Sequence, residues 1–477
     1  MSLKPASLKS ARSPEVLSEM PTRFAMLIAG IIVAVMGFTM ISLEWVPHLS
    51  LLLVLSALFG LGKWRGLSFE PMQEQMITAV RAGFGAIYLF FFIGLMVTAL
   101  MMSGAIPTLM YYGFNVISPE YFYVSAFVLS SLIGIAIGSS LTTCATLGVA
   151  FMGMSVAFGA NPAIVAGAVV SGAFFGDKMS PLSDTCTIAA TVVGIDLFDH
   201  IRNMSYTTIP AWIISALLYW WLSGSTISAD LNQVLSLQGQ LVKSGLVHGY
   251  ALLPFVVLVV LAVRKVNAIY TIIATILVAF GVTYFHSAPS LQQLGGYFFK
   301  GYHPAEGLDL GSVGKLISRG GIESMFFTQT IVILALSLGG LLQALGILPA
   351  LLRGITHMLT NAGRATFATA MTSLGVNVLI GEQYLSLLLA GNSFLPVYER
   401  LGLHPRNLAR TIEDAGTVIN PLVPWSVCGV FISHALGVSV LSYLPYAFFC
   451  YLCLFLTLFF GFTGITISRT EPKNIAV

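Results

Sequence analysis

The sequence predicts an all-α, polytopic membrane protein of two inverted-topology repeats with broken transmembrane helices. Three observations predict it: the composition, the spacing of apolar runs, and landmarks that recur at a nearly fixed offset. Of 477 residues, 57% are hydrophobic and only 9% charged, with a mean hydropathy of +0.89. Soluble domains carry about 25% charged residues. The net charge of +3 is spread over loops, which gives no basis for a nucleic-acid partner; the partner implied is membrane lipid. Cys144, Cys186, Cys428, Cys450 and Cys453 all fall in apolar segments without metal-ligand spacing, so they read as packing residues.

Residues 1–23 form a polar tail carrying Lys4, Lys9, Arg12 and Arg23. The apolar run at 24–42 is long enough to cross a core of ~30 Å. No small-residue cleavage site follows, so it reads as a retained helix. With a second span at 47–62 and an interfacial stretch of mixed polarity at 66–83, it makes an N-terminal region, 24–83. Spans at 84–103, 121–138, 142–159, 162–176 (resuming at 186–195) and 204–222 make the first repeat, 84–222. A linker, 223–324, holds spans at 250–263 and 266–284 between external loops. The second repeat, 325–465, has spans at 325–346, 364–380, 383–397, 403–436 (interrupted) and 442–465. A tail, 466–477, follows. The short apolar pieces 105–114 and 347–359 read as helix tails or interfacial segments.

Basic residues orient such a chain. The N-terminal tail, Lys63 with Arg65 and Arg81, His200 with Arg202, Arg264 with Lys265, the 400–410 loop, and Arg469 with Lys473 alternate to one side. Both termini are therefore expected to be cytoplasmic. Lys300, Lys315 and Arg319, on the outer 285–324 loop, run against the trend. His357, His404 and His434 read as loop or packing residues.

The halves resemble each other. "GAIP" (104–107) matches "GILP" (346–349), "IGSSLTT" (137–143) stands opposite "IGEQYLS" (380–386), and "GDKMSPL" (176–182) opposite "GTVINPL" (416–422), at offsets of 242, 243 and 240. By the topology above the first unit enters from inside and the second from outside, so the repeats are inverted. Matching broken helices in inverted repeats mark secondary transporters, whose site lies at the repeat interface. Gly176 and Pro181 interrupt one helix, Gly416 and Pro421 its counterpart.

A break inside hydrocarbon leaves peptide groups unpaired unless a polar cavity fills the gap. Carbonyls at the break, the hydroxyls of Ser180 and Ser183, the Asn420 amide and nearby carboxylates are hard oxygen ligands suited to Na⁺. Five acidic residues lie at expected membrane depth: Asp177, Asp184, Glu382, Glu413 and Asp414. Ionisable groups there are costly and mark ion pathways. Asp177, Asp184, Glu382 and Asp414 are the expected cation and proton carriers, with Na⁺ placed at Asp177, Ser180, Asn420 and Asp414. Asp184 flanks the cavity or N-caps the second half-helix. Asp414 is nearer the break and is favoured over Glu413, with which Arg410 is expected to pair at the surface. Ser139, Ser140, Thr142, Thr143, Lys178, Glu413 and Thr417 are supporting groups; Lys178 either neutralises a charge in the other repeat or helps to hold an anion.

These residues resemble a known family. "GDKMSPLSDTCTIAATVVGIDLFDHIRNM" (176–204) is similar to the signature of the NhaC-type sodium/proton antiporters, and "EDAGTVINPLVPWSVCG" (413–429) resembles the family's second-half motif. Where members often carry Gly-Thr-Ser-Trp-Gly-Thr, this chain has Gly138-Ser139-Ser140-Leu141-Thr142-Thr143, keeping the small hydroxyl residues. The resemblance, over about residues 20 to 465, implies an ion-transporter-superfamily fold and exchange of Na⁺ for H⁺, with no cofactor beyond these substrates. Cation and protons would compete for the same oxygens. The alternative is a Na⁺- or H⁺-coupled exchanger of a small organic acid, malate or lactate, or of an amino acid. The chain lacks a His-Glu-x-x-His run or other catalytic constellation, so no enzyme is expected. A homodimer is left open.

Asp177→Asn should abolish cation–proton exchange while the protein still inserts, and Ser139→Ala should be milder, because water can replace a hydroxyl ligand. Exchange in proteoliposomes measures both; normal turnover in Asp177→Asn would sink the assignment.

Overall fold

The structure is a computed structural model that describes residues 16–226, 231–304, 310–356 and 359–470. Lys4, Lys9, Arg12, His357 and Lys473 lie outside the described residues. Regular structure among the described residues is helical, apart from one isolated antiparallel bridge between Leu403 and Arg469. That follows from the composition, since helices satisfy their backbone internally in an apolar solvent.

Among the described residues five helices are long and apolar enough to cross a membrane: Thr22–Ser42, Pro47–Trp64, Pro119–Ile137, Ser140–Ala157 and Ile322–Ala344. Four further helix pairs pass the same test together but bend by more than 40° at a short break, in the manner of a broken span or a re-entrant loop. Two are the interruptions read from the sequence: Pro162–Met179 with Asp184–Val193 bends by 47°, and Pro405–Leu422 with Val427–Leu436 by 44°. Two are further bends, one at the short apolar piece left open as a helix tail or interfacial segment and one inside an expected single span. Ala105–Val116 is a helix set at 62° to Ile87–Met102, turned by Gly104 in the left-handed region at φ 76°. The expected single span 442–465 bends by 58° between Val440–Tyr446 and Phe448–Thr463, where Pro445 lacks an N–H to continue the ladder.

The chain divides into two compact units. One comprises Met1–Tyr88 and Gln329–Met358. In it the Thr22 hydroxyl donates to the Ala350 carbonyl at 3.0 Å and the Leu17 amide to the Ala344 carbonyl at 2.8 Å. The stretch expected to be interfacial is the helix Phe69–Ala82, which buries Met72, Gln75 and Ala79 on one face.

The other unit comprises Leu89–Thr328 and Leu359–Val477 and contains both interrupted helices of the signature. Phe122–Ile137 and Pro162–Met179 approach there closely enough that only glycines fit. A Cβ on Gly176 would stand 2.4 Å from the Gly134 Cα, and one on Gly172 2.3 Å from the Phe127 carbonyl oxygen. Small residues one turn apart are how apolar helices achieve such contact.

Two pairs of helix caps recur at one spacing along the chain. Asp184–Val193 is N-capped by Ser183, which accepts from the Cys186 amide, and ends at left-handed Gly194. Val427–Leu436 is N-capped by Ser426, which accepts from Gly429, and ends at left-handed Gly437. Each cap is 243 positions from its counterpart. Gly138 and Gly381 are likewise left-handed at φ 70° and 80°, followed by the side-chain N-caps Ser139 and Glu382.

Gly176→Ala should lower the thermal unfolding midpoint in detergent, with overpacking costing about 1–3 kcal/mol against a helix-propensity gain of about 0.5–1 kcal/mol. Gly281→Ala, with open space around it, should leave the midpoint unchanged or raise it. Equal effects of the two would discount the contact.

Candidate functional site

The two interruptions bring their polar groups to one buried region. At the first, Gly138 leaves room for the crossing chain: a Cβ there would stand 2.6 Å from Leu182 Cβ and 2.9 Å from Ser180 Oγ. The chain after Gly138 begins the Ser140–Thr143 turn, and Asp177 receives its first donors. Asp177 Oδ2 accepts from the Ser140 amide at 3.2 Å and the Ser140 hydroxyl at 2.7 Å. A carboxylate at a helix N-terminus is stabilised by free amides and dipole together. Asp177 Oδ1 is buried and has no hydrogen-bond partner.

Lys178, on the next residue, turns the other way. Its ammonium, fully buried, forms an ion pair with Asp414 of the second half and approaches Thr207 Oγ1 at 3.4 Å. Glu413, one residue earlier, accepts from Thr185 Oγ1 at 2.9 Å, and Thr185 in turn meets Ser183 Oγ at 3.0 Å. Both second-half carboxylates thus face the first interrupted helix, although the sequence favoured Asp414 over Glu413. The segment Glu413–Thr417 is a π-helical turn, whose wider winding re-aims side chains and recurs at functional sites. Glu413 Oε2 and Asp414 Oδ2 are buried without a hydrogen-bond partner, as is Thr417 Oγ1.

The remaining expected residues are placed as follows. Asp184 is exposed, the first residue of its half-helix rather than its N-cap, which is Ser183; the Tyr384 hydroxyl donates to it at 2.5 Å. Glu382 is buried and N-caps Gln383–Arg400, accepting from the Leu385 amide at 2.8 Å. Ser180 Oγ accepts from the Leu182 amide at 3.3 Å. Asn420 donates to Asn377 Oδ1 at 2.9 Å and accepts from the Cys428 amide at 3.1 Å. Of the four groups expected to share Na⁺, Asp177 and Asp414 keep a free oxygen, whereas Ser180 and Asn420 hold the breaks in shape. Ser139 Oγ accepts from the Thr142 amide and hydroxyl, and the Thr143 hydroxyl donates to the Ser139 carbonyl. Near Gly416, the Asn377 side-chain amide donates to the Ala415 carbonyl at 3.3 Å; the Pro421 carbonyl accepts from Tyr443 at 2.6 Å.

Two expectations are corrected. Arg410 does not pair with Glu413 at the surface: it is 1% exposed and donates to Thr466 Oγ1 at 3.0 Å, because Glu413 is drawn to Thr185. His200 is no loop charge; it is fully buried at the start of Leu197–Thr226 with neither ring nitrogen hydrogen-bonded. Asn377, Thr185 and Thr207 were missed. Asn377 was detectable as an amide inside an apolar run, whereas Thr185 and Thr207 look like ordinary helix threonines. Among the described residues no three His, Cys, Asp or Glu side chains group in the manner of a resident-metal site.

Residues 172–465 match the family described as the Na⁺/H⁺ antiporter family. The chain is 37% identical over 449 residues to "Na(+)/H(+) antiporter NhaC" of Alkalihalophilus pseudofirmus, covering 94% of this chain and 97% of that one. It is 37% identical over 425 residues to the protein of the same name from Bacillus subtilis, covering 87% and 92%. It is 31% identical over 467 residues to the "Malate-2H(+)/Na(+)-lactate antiporter" of Bacillus subtilis, covering 96% and 98%.

Removing one partner of a buried ion pair strands the other's charge. Asp414→Asn should therefore lower stability by roughly 3–5 kcal/mol, and Lys178→Met combined with Asp414→Leu should recover most of the loss. Denaturation of the purified protein measures both; a double variant no more stable than the single one would show that the charges are not coupled.

Proposed function

The chain belongs to the Na⁺/H⁺ antiporter family, and from that premise we propose that it exchanges Na⁺ for H⁺ at the carboxylates of its two broken helices. It is a multi-pass membrane protein and a transporter, not an enzyme. The observation that carries the site is that Asp177, Glu413 and Asp414 each hold one buried oxygen without a hydrogen-bond partner. An unpaired carboxylate oxygen away from water is costly. A cation or a proton removes that cost, and each displaces the other, so one site carries Na⁺ one way and protons the other. Asp177 and Glu413 are the exchanging pair, with the Ser183 and Thr185 hydroxyls beside them as further oxygen ligands. Lys178 neutralises Asp414, which limits how much negative charge the empty site must bear.

Two inverted repeats, 84–222 and 325–465, would supply alternating access, with both termini cytoplasmic. The matching caps at Ser183 and Ser426 support the repeat. For exchange of a small organic acid, the name of the malate–lactate relative is the supporting observation. Against an anion at Lys178, that ammonium is already engaged by Asp414. Asp184 and Glu382, one exposed and one capping a helix, are placed along the route rather than at its centre.

The test is proton movement in proteoliposomes holding a trapped pH dye. NaCl alone should drive saturable proton flux, KCl should not, and Glu413→Gln should lose at least about tenfold of it, the scale of one charge-assisted contact. Flux that requires added malate or lactate would make the organic-acid reading the right one.

A further inference from the structure

A second feature of the larger unit is a cavity of about 370 Å³ lined by Lys300, Ser318, Arg319 and Ser324 on one side and by apolar residues including Val149 and Phe431 on the other. It is separate from the carboxylate cluster. Of its lining, Ala145 and Val149 lie five and nine residues along from Ser140, about 7.5 and 13.5 Å at the usual rise per residue, and no residue of that cluster is among those that line it.

The cationic wall is built by backbone geometry. Gly301, Gly320 and Gly321 all adopt left-handed φ, at 98°, 93° and 87°, which other residues rarely accept. This lets the Tyr302 amide donate to the Arg319 carbonyl at 3.1 Å, setting Lys300 and Arg319 on adjoining strands of chain. The Gly321 amide donates to Thr98 Oγ1 at 2.6 Å, which ties the turn to the helix carrying Ile93 and Val97, also on the cavity wall. Arg319 Nη1 donates to the Ala435 carbonyl at 2.8 Å, near the C-terminus of Val427–Leu436, where the helix dipole favours a cation.

Arg319 makes that one hydrogen bond among the described residues, leaving most of its five donors for a guest. The ion pairs among the described residues are Lys178–Asp414 and Arg353–Glu19, so no described carboxylate neutralises Lys300 or Arg319. Glu323, beside Ser324, is exposed. The Ser318 and Ser324 hydroxyls donate to the Gly314 and Gly321 carbonyls at 2.7 Å each, so the donors left for a guest are those of Arg319 and Lys300. Two cations without a described counter-charge, facing an apolar wall in a cavity of ligand size, suit an amphiphilic anion and repel a bare Na⁺.

We propose that this cavity is a binding site for a small organic acid, the carboxylate held by Arg319 and Lys300 and a short apolar chain lying against Val149 and Phe431. The assignment does not rest on the exchange reading, since it concerns binding away from the transport carboxylates.

Calorimetric titration of the purified full chain with potassium butyrate, butylammonium chloride and potassium chloride tests it. Butyrate should bind saturably, butylammonium should not, and excess chloride should not displace butyrate. Lys300→Gln should bind butyrate about tenfold more weakly. The Lys300 side chain is exposed and makes no hydrogen bond among the described residues, so this variant remains informative if Arg319→Gln, which loses the Ala435 contact, fails to fold. Asp177→Asn should bind butyrate like the unaltered protein. Equal binding of butylammonium, displacement by chloride, unchanged affinity in Lys300→Gln, or loss of binding in Asp177→Asn would each overturn the proposal.

Discussion

A helix broken inside a membrane exposes peptide groups that no water reaches, and the site is organised around that constraint. Side chains close the gaps on both interrupted helices. Ser183 caps the half-helix after the first break, and Cys186 Sγ lies 3.4 Å from the Lys178 carbonyl. At the second, Asn420 bridges Asn377 and the Cys428 amide, Ser426 caps Val427–Leu436, and Tyr443 holds the Pro421 carbonyl. With the backbone satisfied by these groups, the oxygens left over at the breaks include carboxylate oxygens of Asp177, Glu413 and Asp414, beside Thr417 Oγ1. The polar cost of breaking the helices is thereby concentrated on groups that a cation or proton can relieve.

The Lys178–Asp414 pair links the halves at that point. Such pairs contribute little net stability, since desolvation offsets their attraction, but losing either partner is severe. Its consequence here is specificity of placement: it fixes the π-helical turn at 413–417 against the first interrupted helix, which in turn sets Glu413 on Thr185. Occupancy of Glu413, as proposed above, would act on a segment packed against the first interrupted helix.

Much of this was legible in the sequence because the controlling signals are local. Gly-x-x-x-[Ser/Asn]-Pro-Leu at 176–182 and 416–422 points to two breaks, and the bends of 47° and 44° fall at 180–183 and at 423–426, the second just beyond its motif. The carboxylates stood out because charge is rare in this chain. Less legible were features set by partners distant along it. Arg410 looked like the i−3 partner of Glu413, yet Thr185, 228 positions away, takes that carboxylate. His200 looked like a loop cation and is buried. The bends at Gly104 and near Ala447 rest on one glycine and one proline, residues that elsewhere in the chain sit in unbroken helices, as Pro210 does in Leu197–Thr226.

By itself the sequence determined that the chain is helical, lies in a membrane and breaks a helix near each of two similar motifs, because hydrophobicity, glycine and proline act over a few residues. Only the tertiary structure decided which oxygens are free. That depends on which donors arrive from other helices: Ser140 at Asp177, Thr185 at Glu413 and Lys178 at Asp414. A carboxylate's chemistry is set by what stands within about 3 Å of it, and those neighbours come from segments that only folding brings together.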